Sequence, residues 1–343
     1  MRGIVTTPTP LVTPADILRA AHVLRGVADN TPMVPSPYMQ TTYGQPFWLK
    51  LETAQPIGAF KLRGAVNAVA TLPDTVTGVT CCSTGNHGRG VAWAAARTGL
   101  RAVICMSALV PQTKIDGIRA LGAEVRITGT SQDDAQAECL RLVAQEGLVE
   151  IPPFDDPNVI AGQGTIGFEM LRQVPDLETL LVPLSGGGLA AGVACAAKAL
   201  KPGIRLVGVS MDRGAAMEQS IRAGHPVGVT EVASLADSLG GGIGAGNRLT
   251  LPMCRDFLDD VVLVSEDEIY RALQTLFYEE RIIAEGASVV GIAAVQAGKV
   301  APSGPLGTIL TGRNLDMPML SRIVTGQDVT LGDVTIKGSA YAG

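Results

Sequence analysis

The chain has 343 residues, of which 46% are hydrophobic and 17% are charged, and its formal net charge is −5. This length suits two domains with sizeable cores, and the composition excludes a disordered chain. A net negative charge without a basic stretch excludes nucleic acid as a partner. We also expect no membrane-spanning segment, no signal peptide and a cytoplasmic location, because the apolar stretches are short and the N-terminus leads into a helical pattern.

Strands and helices alternate along most of the chain. The first helix is predicted over residues 13–28, where Thr13 is a candidate cap and Pro14 suits the first turn. Further strands are predicted at 46–52, 78–84, 101–107, 124–129, 177–184, 205–210 and 307–312. Further helices are predicted at 61–72, 86–99, 114–122, 133–147, 189–201 and 265–281. This order predicts an α/β fold of two open, twisted, mostly parallel sheets flanked by helices, with ligands beyond the carboxyl ends of the strands.

Two segments interrupt this alternation. Residues 150–164, EIPPFDDPNVIAGQG, are rich in proline, aspartate and glycine and are predicted to join two domains. The tail after Asp316 is only weakly patterned.

The cysteines give no sign of a metal site. They lack the CxxC spacing of zinc ligands and stand inside apolar segments, at Cys81, Cys82, Cys105, Cys139, Cys195 and Cys254. We therefore predict buried, reduced thiols and no structural zinc.

A glycine turn, Ser185–Leu189, joins an apolar strand to an alanine-rich helix. Glycines let the backbone approach a ligand, and free N–H groups at a helix start favour an anion such as phosphate. Gly186, Gly188 and Ala191 also fit the dinucleotide fingerprint, with Asp212 as the acid that would bind the ribose. A plain structural turn is a third interpretation, and the turn alone does not decide among the three.

Lys61 opens a predicted helix after the loop QPIGAF. A solvated surface charge is the ordinary interpretation of a lysine, but the positive end of a helix dipole disfavours the protonated amine. A neutral amine can form a Schiff base. A second glycine-bearing turn, Ser83–Gly88, offers hydroxyls, an amide and helix-start N–H groups, which suit a carboxylate.

Five motifs in the same order resemble those of the fold-type II pyridoxal-phosphate enzymes, in particular the threonine dehydratase and serine racemase family. They are Lys50–Gln55 with Gly58–Ala65, Ser83–Gly88, Ala161–Thr165, Ser185–Leu189 and Thr311–Asn314. The resemblance covers nearly the whole chain, and it favours phosphate over a dinucleotide as the ligand of the glycine turn.

The resemblance implies a tryptophan synthase β-subunit-like fold. Residues 1–76 and 155–343 would form a large cofactor-binding domain, and residues 77–154 a small, mobile domain that binds the substrate carboxylate. The resemblance also implies pyridoxal 5′-phosphate as cofactor, a small amino acid as substrate and a homodimer. The implied activity is α,β-elimination from a β-hydroxy amino acid to a 2-oxo acid and ammonia. A racemase of the serine racemase type is the alternative, and a nicotinamide-dependent oxidoreductase is a remote one.

The resemblance assigns roles to single residues. Lys61 would carry the cofactor and act as base on the Cα proton, while Thr84 would serve the second face of Cα. The implied cofactor-binding residues are Phe60, Lys61, Asn86, Gly186, Gly187, Gly188, Leu189 and Thr311. The implied substrate-binding residues are Ser83, Thr84, His87 and Arg313. Because Thr311 is a neutral partner for the pyridine nitrogen, it would favour elimination over transamination.

Some positions depart from the family pattern. Ser210, Gly214 and Ala216 stand where some members have metal-binding acids, so we predict no metal site. Phe154 is the residue typical of dehydratases rather than racemases. Arg313 replaces a glycine and is either solvated or a recognition group for an unusual anionic substrate. Together with the motifs Gly58–Ala65 and Ser83–Gly88, Arg313 makes the chain resemble the dehydratases of hydroxyectoine utilisation.

Overall fold

The computed structural model describes residues 12–83, 85–108, 110 and 112–342. In this part of the chain the helices are α1 (Pro14–Val23), α2 (Pro37–Tyr43), α3 (Lys61–Ala70), α4 (Asn86–Thr98), α5 (Gln112–Arg119), α6 (Gln132–Glu146), α7 (Pro157–Gln173), α8 (Gly188–Leu200), α9 (Ala216–Ala223), α10 (Thr250–Phe257), α11 (Glu266–Tyr278), α12 (Val290–Gln296) and α13 (Met317–Val324). The strands are β1 (Met33–Pro35), β2 (Phe47–Leu51), β3 (Gly78–Cys82), β4 (Arg101–Met106), β5 (Glu124–Ile127), β6 (Val149–Glu150), β7 (Thr179–Pro183), β8 (Arg205–Met211), β9 (Asp260–Val264), β10 (Leu306–Leu310), β11 (Val329–Leu331) and β12 (Val334–Ile336). Short 3-10 helices occupy Glu52–Ala54, Asp237–Leu239 and Gly286–Ser288. In the described part of the chain, the helices are too short or too polar to cross a membrane.

The larger sheet has the strand order β1-β2-β10-β7-β8-β9. Its strands are parallel except for β1, which pairs antiparallel with β2. Strand β7 is buried along its whole length, and its neighbouring residues Leu180 and Leu181 enter two different hydrophobic clusters. Helices therefore cover both faces of this sheet, which is why its central strands are almost continuously apolar.

The smaller sheet is entirely parallel, with the order β5-β4-β3-β6. It is built from residues 78–150, which lie inside the predicted small domain of residues 77–154; the domain boundaries stay predictions. Its neighbouring residues Cys81 and Cys82 again face two different clusters. All six cysteines are buried and free, as expected from the sequence. The two sheets with their flanking helices confirm the predicted fold class.

The predicted junction over residues 150–164 is only partly a loop. Helix α7 begins at Pro157, because the Asp156 carboxylate accepts hydrogen bonds from the backbone N–H groups of Asn158 and Val159. The glycines that suggested a loop serve instead for close helix packing. A Cβ on Gly162 would lie 2.6 Å from the carbonyl oxygen of Arg63 in α3.

The sequence patterns also missed several short elements. Strands β1, β6, β9, β11 and β12 and helices α2, α9, α10, α12 and α13 were not predicted. The helices among them have seven or eight residues, so their apolar periodicity is too short to stand out from the sequence. The weakly patterned tail forms α13 and the β11–β12 hairpin.

Helices α7 and α8 pack with their backbones in contact, and this predicts sensitivity to one added methyl group. A Cβ on Gly192 would overlap the carbonyl oxygen of Ile160, whereas a Cβ on Gly203 meets no atom within 4 Å. We expect Gly192→Ala to destabilise the protein by about 1–3 kcal/mol, because overpacking outweighs the better helix propensity of alanine. Urea unfolding of Gly192→Ala beside Gly203→Ala measures this, and equal midpoints would contradict the close contact.

Candidate active site

A cleft of about 730 Å³ is lined by residues that follow β3, β7 and β10, at the carboxyl ends of strands from both sheets. It brings together most of the predicted site residues: Phe60, Lys61, Ser83, Asn86, His87, Gly186, Gly187, Gly188, Leu189 and Thr311. Thr84 lies outside the described residues. A larger groove of about 1130 Å³ beside α1 and α7 contains none of the predicted site residues. At the cleft itself, Lys114 of α5 pairs with Asp237 at 3.3 Å.

Lys61 is the first residue of α3, and its side chain reaches the cleft. The Nζ atom donates a hydrogen bond to the carbonyl oxygen of Pro153 at 2.6 Å and lies 5.4 Å from the centre of the Phe60 ring. Although part of the side chain faces the cleft, burial of the ammonium lowers its pKa to about 8. At a given pH, the neutral fraction of the Lys61 amine is therefore much larger than that of an ordinary lysine.

The start of α3 is held by a buried cluster of charges. The Arg63 guanidinium is 1% exposed and bonds Glu52 at 2.8 Å and Glu169 at 2.6 Å. Lys50 Nζ pairs with the same Glu169 carboxylate at 2.6 Å. Since Glu52 follows β2 and Glu169 belongs to α7, the cluster joins three elements two residues away from Lys61.

The glycine turn Ser185–Leu189 leads into α8, whose N-cap Gly187 has a φ of 88° and offers no side-chain cap. The first N–H groups of α8 therefore remain available to an anion. A Cβ on Gly186 would overlap the ring of Phe154, so only glycine fits beside this aromatic residue. Asp212, the acid expected for a dinucleotide, does not line the cleft.

The turn Ser83–Gly88 leads into α4 in a similar way. Gly85 is the N-cap, makes no side-chain cap and has open space around the position of a Cβ. The helix-start N–H groups and the Ser83 hydroxyl thus suit a carboxylate.

His87 is buried and takes part in the site differently from the expectation. Its Nε2 bonds the carbonyl oxygen of Ile151 at 2.7 Å, and its Nδ1 has no partner among the described residues. Burial, with the nearby charge of Lys61, lowers the His87 pKa to about 3. Because the neutral ring uses its N–H on Ile151, only the backbone of His87 can donate to a substrate carboxylate.

Asn86 takes part in a buried network that includes a residue missed by the sequence analysis. Its Nδ2 lies 3.0 Å from both carboxylate oxygens of Glu285, and its Oδ1 accepts a hydrogen bond from Asn314 at 2.7 Å. Glu285 is 4% exposed. A lone acid in the apolar stretch IIAEGASVV was a signal that could have singled it out.

Thr311 follows β10 and is 5% exposed. Its hydroxyl lies 3.0 Å from the Ser288 hydroxyl, which also accepts a hydrogen bond from the Gly312 N–H at 2.9 Å. The carbonyl oxygen of Thr311 accepts a hydrogen bond from the Phe60 N–H at 2.9 Å, so this strand end and the start of α3 are tied together.

The structure does not bring Arg313 together with the other predicted site residues. Its side chain is exposed and lies along Gly58, where a Cβ would be 3.2 Å from Arg313 Cγ. Arg313 does not line the cleft. Of the two interpretations of this residue, the position agrees with the solvated arginine.

The positions expected to lack a metal lie around the end of β8. Ser210 is 3% exposed within that strand, and Ala216 begins α9. The part of the chain that the structure describes contains no group of three or more histidine, cysteine, aspartate or glutamate residues placed to hold a metal ion. Independence from metals stays a prediction.

These features define a class of protein: an α/β enzyme with a lysine of lowered pKa between two uncapped helix starts. Comparison with known proteins agrees. Residues 24–312 match the family described as pyridoxal-phosphate dependent enzyme. A putative threonine dehydratase of Sinorhizobium fredii is 55% identical over 308 residues, which cover 89% of this chain and 91% of the relative. The L-threonine ammonia-lyase of Thermotoga maritima is 36% identical over 92% of this chain and 78% of its own length.

Solved structures give the same result. Maize serine racemase has a TM-score of 0.86 at 31% identity and covers 91% of this chain and 96% of its own. A tomato threonine deaminase, from Solanum lycopersicum, has a TM-score of 0.84 at 36% identity and covers 93% and 90%. The chain therefore belongs to the fold-type II family of pyridoxal-phosphate-dependent enzymes, and it is a lyase that uses this cofactor.

The residues of the cleft fit pyridoxal phosphate. Lys61 provides an amine with a lowered pKa for the aldehyde, and the uncapped start of α8 provides N–H groups for the phosphate. The family match includes the glycine turn, so the dinucleotide interpretation of that turn is discarded.

The pKa of Lys61 predicts how the cofactor-free protein takes up pyridoxal phosphate. In the folded protein the pKa of Lys61 is lowered from 10.5 to about 8, and only the neutral amine attacks an aldehyde. The rate at which the visible band appears should therefore rise with pH through a midpoint near 8 and level off above it. Rapid-mixing absorbance measures this rate, and a midpoint near 10.5 would contradict the buried environment. Lys61→Ala is the control and should form no band that borohydride removes.

Proposed function

We propose that the protein is an ammonia-lyase, or dehydratase, that acts on a small β-hydroxy amino acid such as threonine or serine. The reaction is an α,β-elimination that yields a 2-oxo acid and ammonia. The observation that carries the proposal is Lys61, whose pKa burial lowers to about 8, in a cleft with two uncapped helix starts. The names of the relatives from Sinorhizobium fredii and Thermotoga maritima support it.

The proposal assigns a chemical role to each group of residues that lines the cleft. When bound, the cofactor withdraws electrons from the substrate Cα. The amine of Lys61 takes the Cα proton, since its lowered pKa makes more of it available as a base than in an ordinary lysine. The Ser83 hydroxyl and the start of α4 hold the substrate carboxylate, while residues 186–189 hold the phosphate. Asn86 donates to the phenolic oxygen of the cofactor, and Thr311 faces the pyridine nitrogen.

The volume of the cleft agrees with a cofactor and a substrate bound together. About 730 Å³ lies within the range that holds a ligand of drug size. Pyridoxal phosphate and a small amino acid together have about the size of such a ligand, so the cleft has room for both.

Replacing Thr311 with aspartate tests the role of its neutral hydroxyl. A carboxylate in this buried position would favour a protonated pyridine nitrogen and divert the reaction from elimination. We expect Thr311→Asp to lower the rate of 2-oxo acid formation by at least about tenfold, the effect of a change near 1.4 kcal/mol, while the cofactor stays bound. Thr311→Ser, which keeps the hydroxyl, is the control. An unchanged rate in Thr311→Asp would show that another residue faces the nitrogen.

A narrower hypothesis is that the substrate derives from hydroxyectoine breakdown and bears an extra anionic or acylated group. It derives from the motif resemblance and from Arg313. Arg313 is exposed and does not line the cleft, which argues against a direct contact between this residue and such a substrate. The hypothesis now rests on the motif resemblance alone.

Substrate specificity is measured by screening β-hydroxy amino acids for release of 2-oxo acid and ammonia. The screen includes threonine, serine and hydroxyectoine-derived candidates, with the Lys61→Ala variant as the blank. We expect Arg313→Gly to change kcat/KM by less than about twofold for every substrate, as for an exposed residue away from special features. A strong selective loss in Arg313→Gly would restore the recognition role of this arginine. Absence of any oxo acid release would contradict the proposed function.

A racemase is the second candidate function, because the structural neighbours include the maize serine racemase. Phe154 argues against it, since this phenylalanine packs against Gly186 and Gly188 where racemase-like members tend to have asparagine. Chiral chromatography after incubation with L-serine distinguishes the two activities. The expected homodimer and cytoplasmic location stay predictions.

A further inference from the structure

We propose that Glu285 is a positioning residue that fixes the orientation of the Asn86 amide and thereby strengthens the binding of pyridoxal phosphate. The inference rests on the proposed role of Asn86 in holding the cofactor. Glu285 itself does not line the cleft.

The contacts around Asn86 allow only one orientation of its amide. Nδ2 faces both oxygens of the Glu285 carboxylate at 3.0 Å, and Oδ1 faces the Nδ2 donor of Asn314 at 2.7 Å. Rotating the amide by half a turn would place oxygen against a carboxylate and nitrogen against a donor. Both hydrogen bonds would then become repulsive contacts.

This orientation leaves one donor free. Nδ2 carries two hydrogens, and the one directed between the two Glu285 oxygens satisfies that contact. Since Asn86 lines the cleft, its second N–H can meet an acceptor on the ligand, such as the phenolic oxygen. Glu285 thus ensures that Asn86 offers the cofactor a donor rather than an acceptor.

A carboxylate is better suited to this task than an amide, because an ionised carboxylate only accepts hydrogen bonds. The backbone N–H of Asn314 donates to Glu285 Oε1 at 2.7 Å. Burial raises the pKa of Glu285, while the hydrogen bonds from Asn86 and Asn314 act in the opposite direction. Among the described residues no lysine or arginine forms a salt bridge with Glu285; its carboxylate accepts hydrogen bonds from amide N–H groups, and the charge of Lys114 also lowers its pKa.

The carboxylate is also held in place by its surroundings. The Glu285 N–H donates to the carbonyl oxygen of Gly312 at 2.9 Å, and a Cβ on Gly312 would lie 2.6 Å from Glu285 Oε1. The Ser238 hydroxyl lies 3.5 Å from the other oxygen. Because Asn86 starts α4 and Asn314 follows β10, Glu285 connects the turns that end one strand of each sheet.

A double-mutant cycle tests the proposal on the full-length protein after removal of the cofactor. The variants are Glu285→Gln, Asn86→Ala and the double variant. Glu266→Gln is the matched control, since Glu266 is a buried carboxylate, 6% exposed, that accepts a hydrogen bond from the Leu235 N–H. The measurements are the Kd for pyridoxal phosphate and the visible circular dichroism of the bound cofactor, which reports its orientation.

We expect Glu285→Gln to raise the Kd by roughly tenfold, as for loss of a charge-assisted hydrogen bond, and to change the visible dichroism. The control should stay within about twofold. In the Asn86→Ala background, Glu285→Gln should add less than about twofold, because the residue through which it acts is gone. Effects that multiply in the double variant, or an unchanged Glu285→Gln, would overturn the proposal.

Two further outcomes separate this inference from the proposed function. If Asn86→Ala leaves both measurements unchanged, the cofactor role of Asn86 is wrong and this proposal fails with it. If the cycle behaves as expected but no amino acid yields an oxo acid, only the proposed function fails.

Should Glu285→Gln not fold, Asn86→Asp replaces it: repulsion from Glu285 should weaken binding more than Asn86→Ala does. Equal binding by these two variants would overturn the proposal.

Discussion

The buried ion pairs of Arg63 determine where the reactive lysine stands. Arg63 and Lys61 lie in the same turn of α3, and the guanidinium bonds carboxylates that belong to two other elements. Removing one partner of a buried pair leaves an uncompensated charge, at a cost of about 3–5 kcal/mol. The position of the Lys61 amine is thus set by groups that do not line the cleft themselves.

The electrostatics of the cleft follow from its topology. Parallel strands end at one edge, and the helices that follow them start there, so α3, α4 and α8 direct their positive ends toward a shared space. Two of these ends suit anions, a phosphate and a carboxylate. At the third, burial lowers the pKa of the Lys61 amine, so a larger fraction of it is neutral than in an ordinary lysine.

Much of this site could be predicted from the sequence because its motifs are local. The glycine turns and Lys61 act through helix starts, which neighbouring residues determine. Glu285 was missed because its role depends on a hydrogen bond with Asn86, which is 199 positions away in the sequence. The position of Arg313 could not be predicted from its neighbours: Thr311 lines the cleft, whereas the Arg313 side chain is exposed and lies along Gly58. The glycines of α7 likewise depend on contacts with α3 and α8 rather than on local preference.

The ion pair between Lys114 and Asp237 lies beside the cleft and is weak. The two side chains are 40% and 63% exposed, and such pairs contribute at most about 1 kcal/mol. That energy shifts an equilibrium by only about fivefold. This contact beside the cleft therefore breaks at little cost in free energy, and dissolved salt weakens it further.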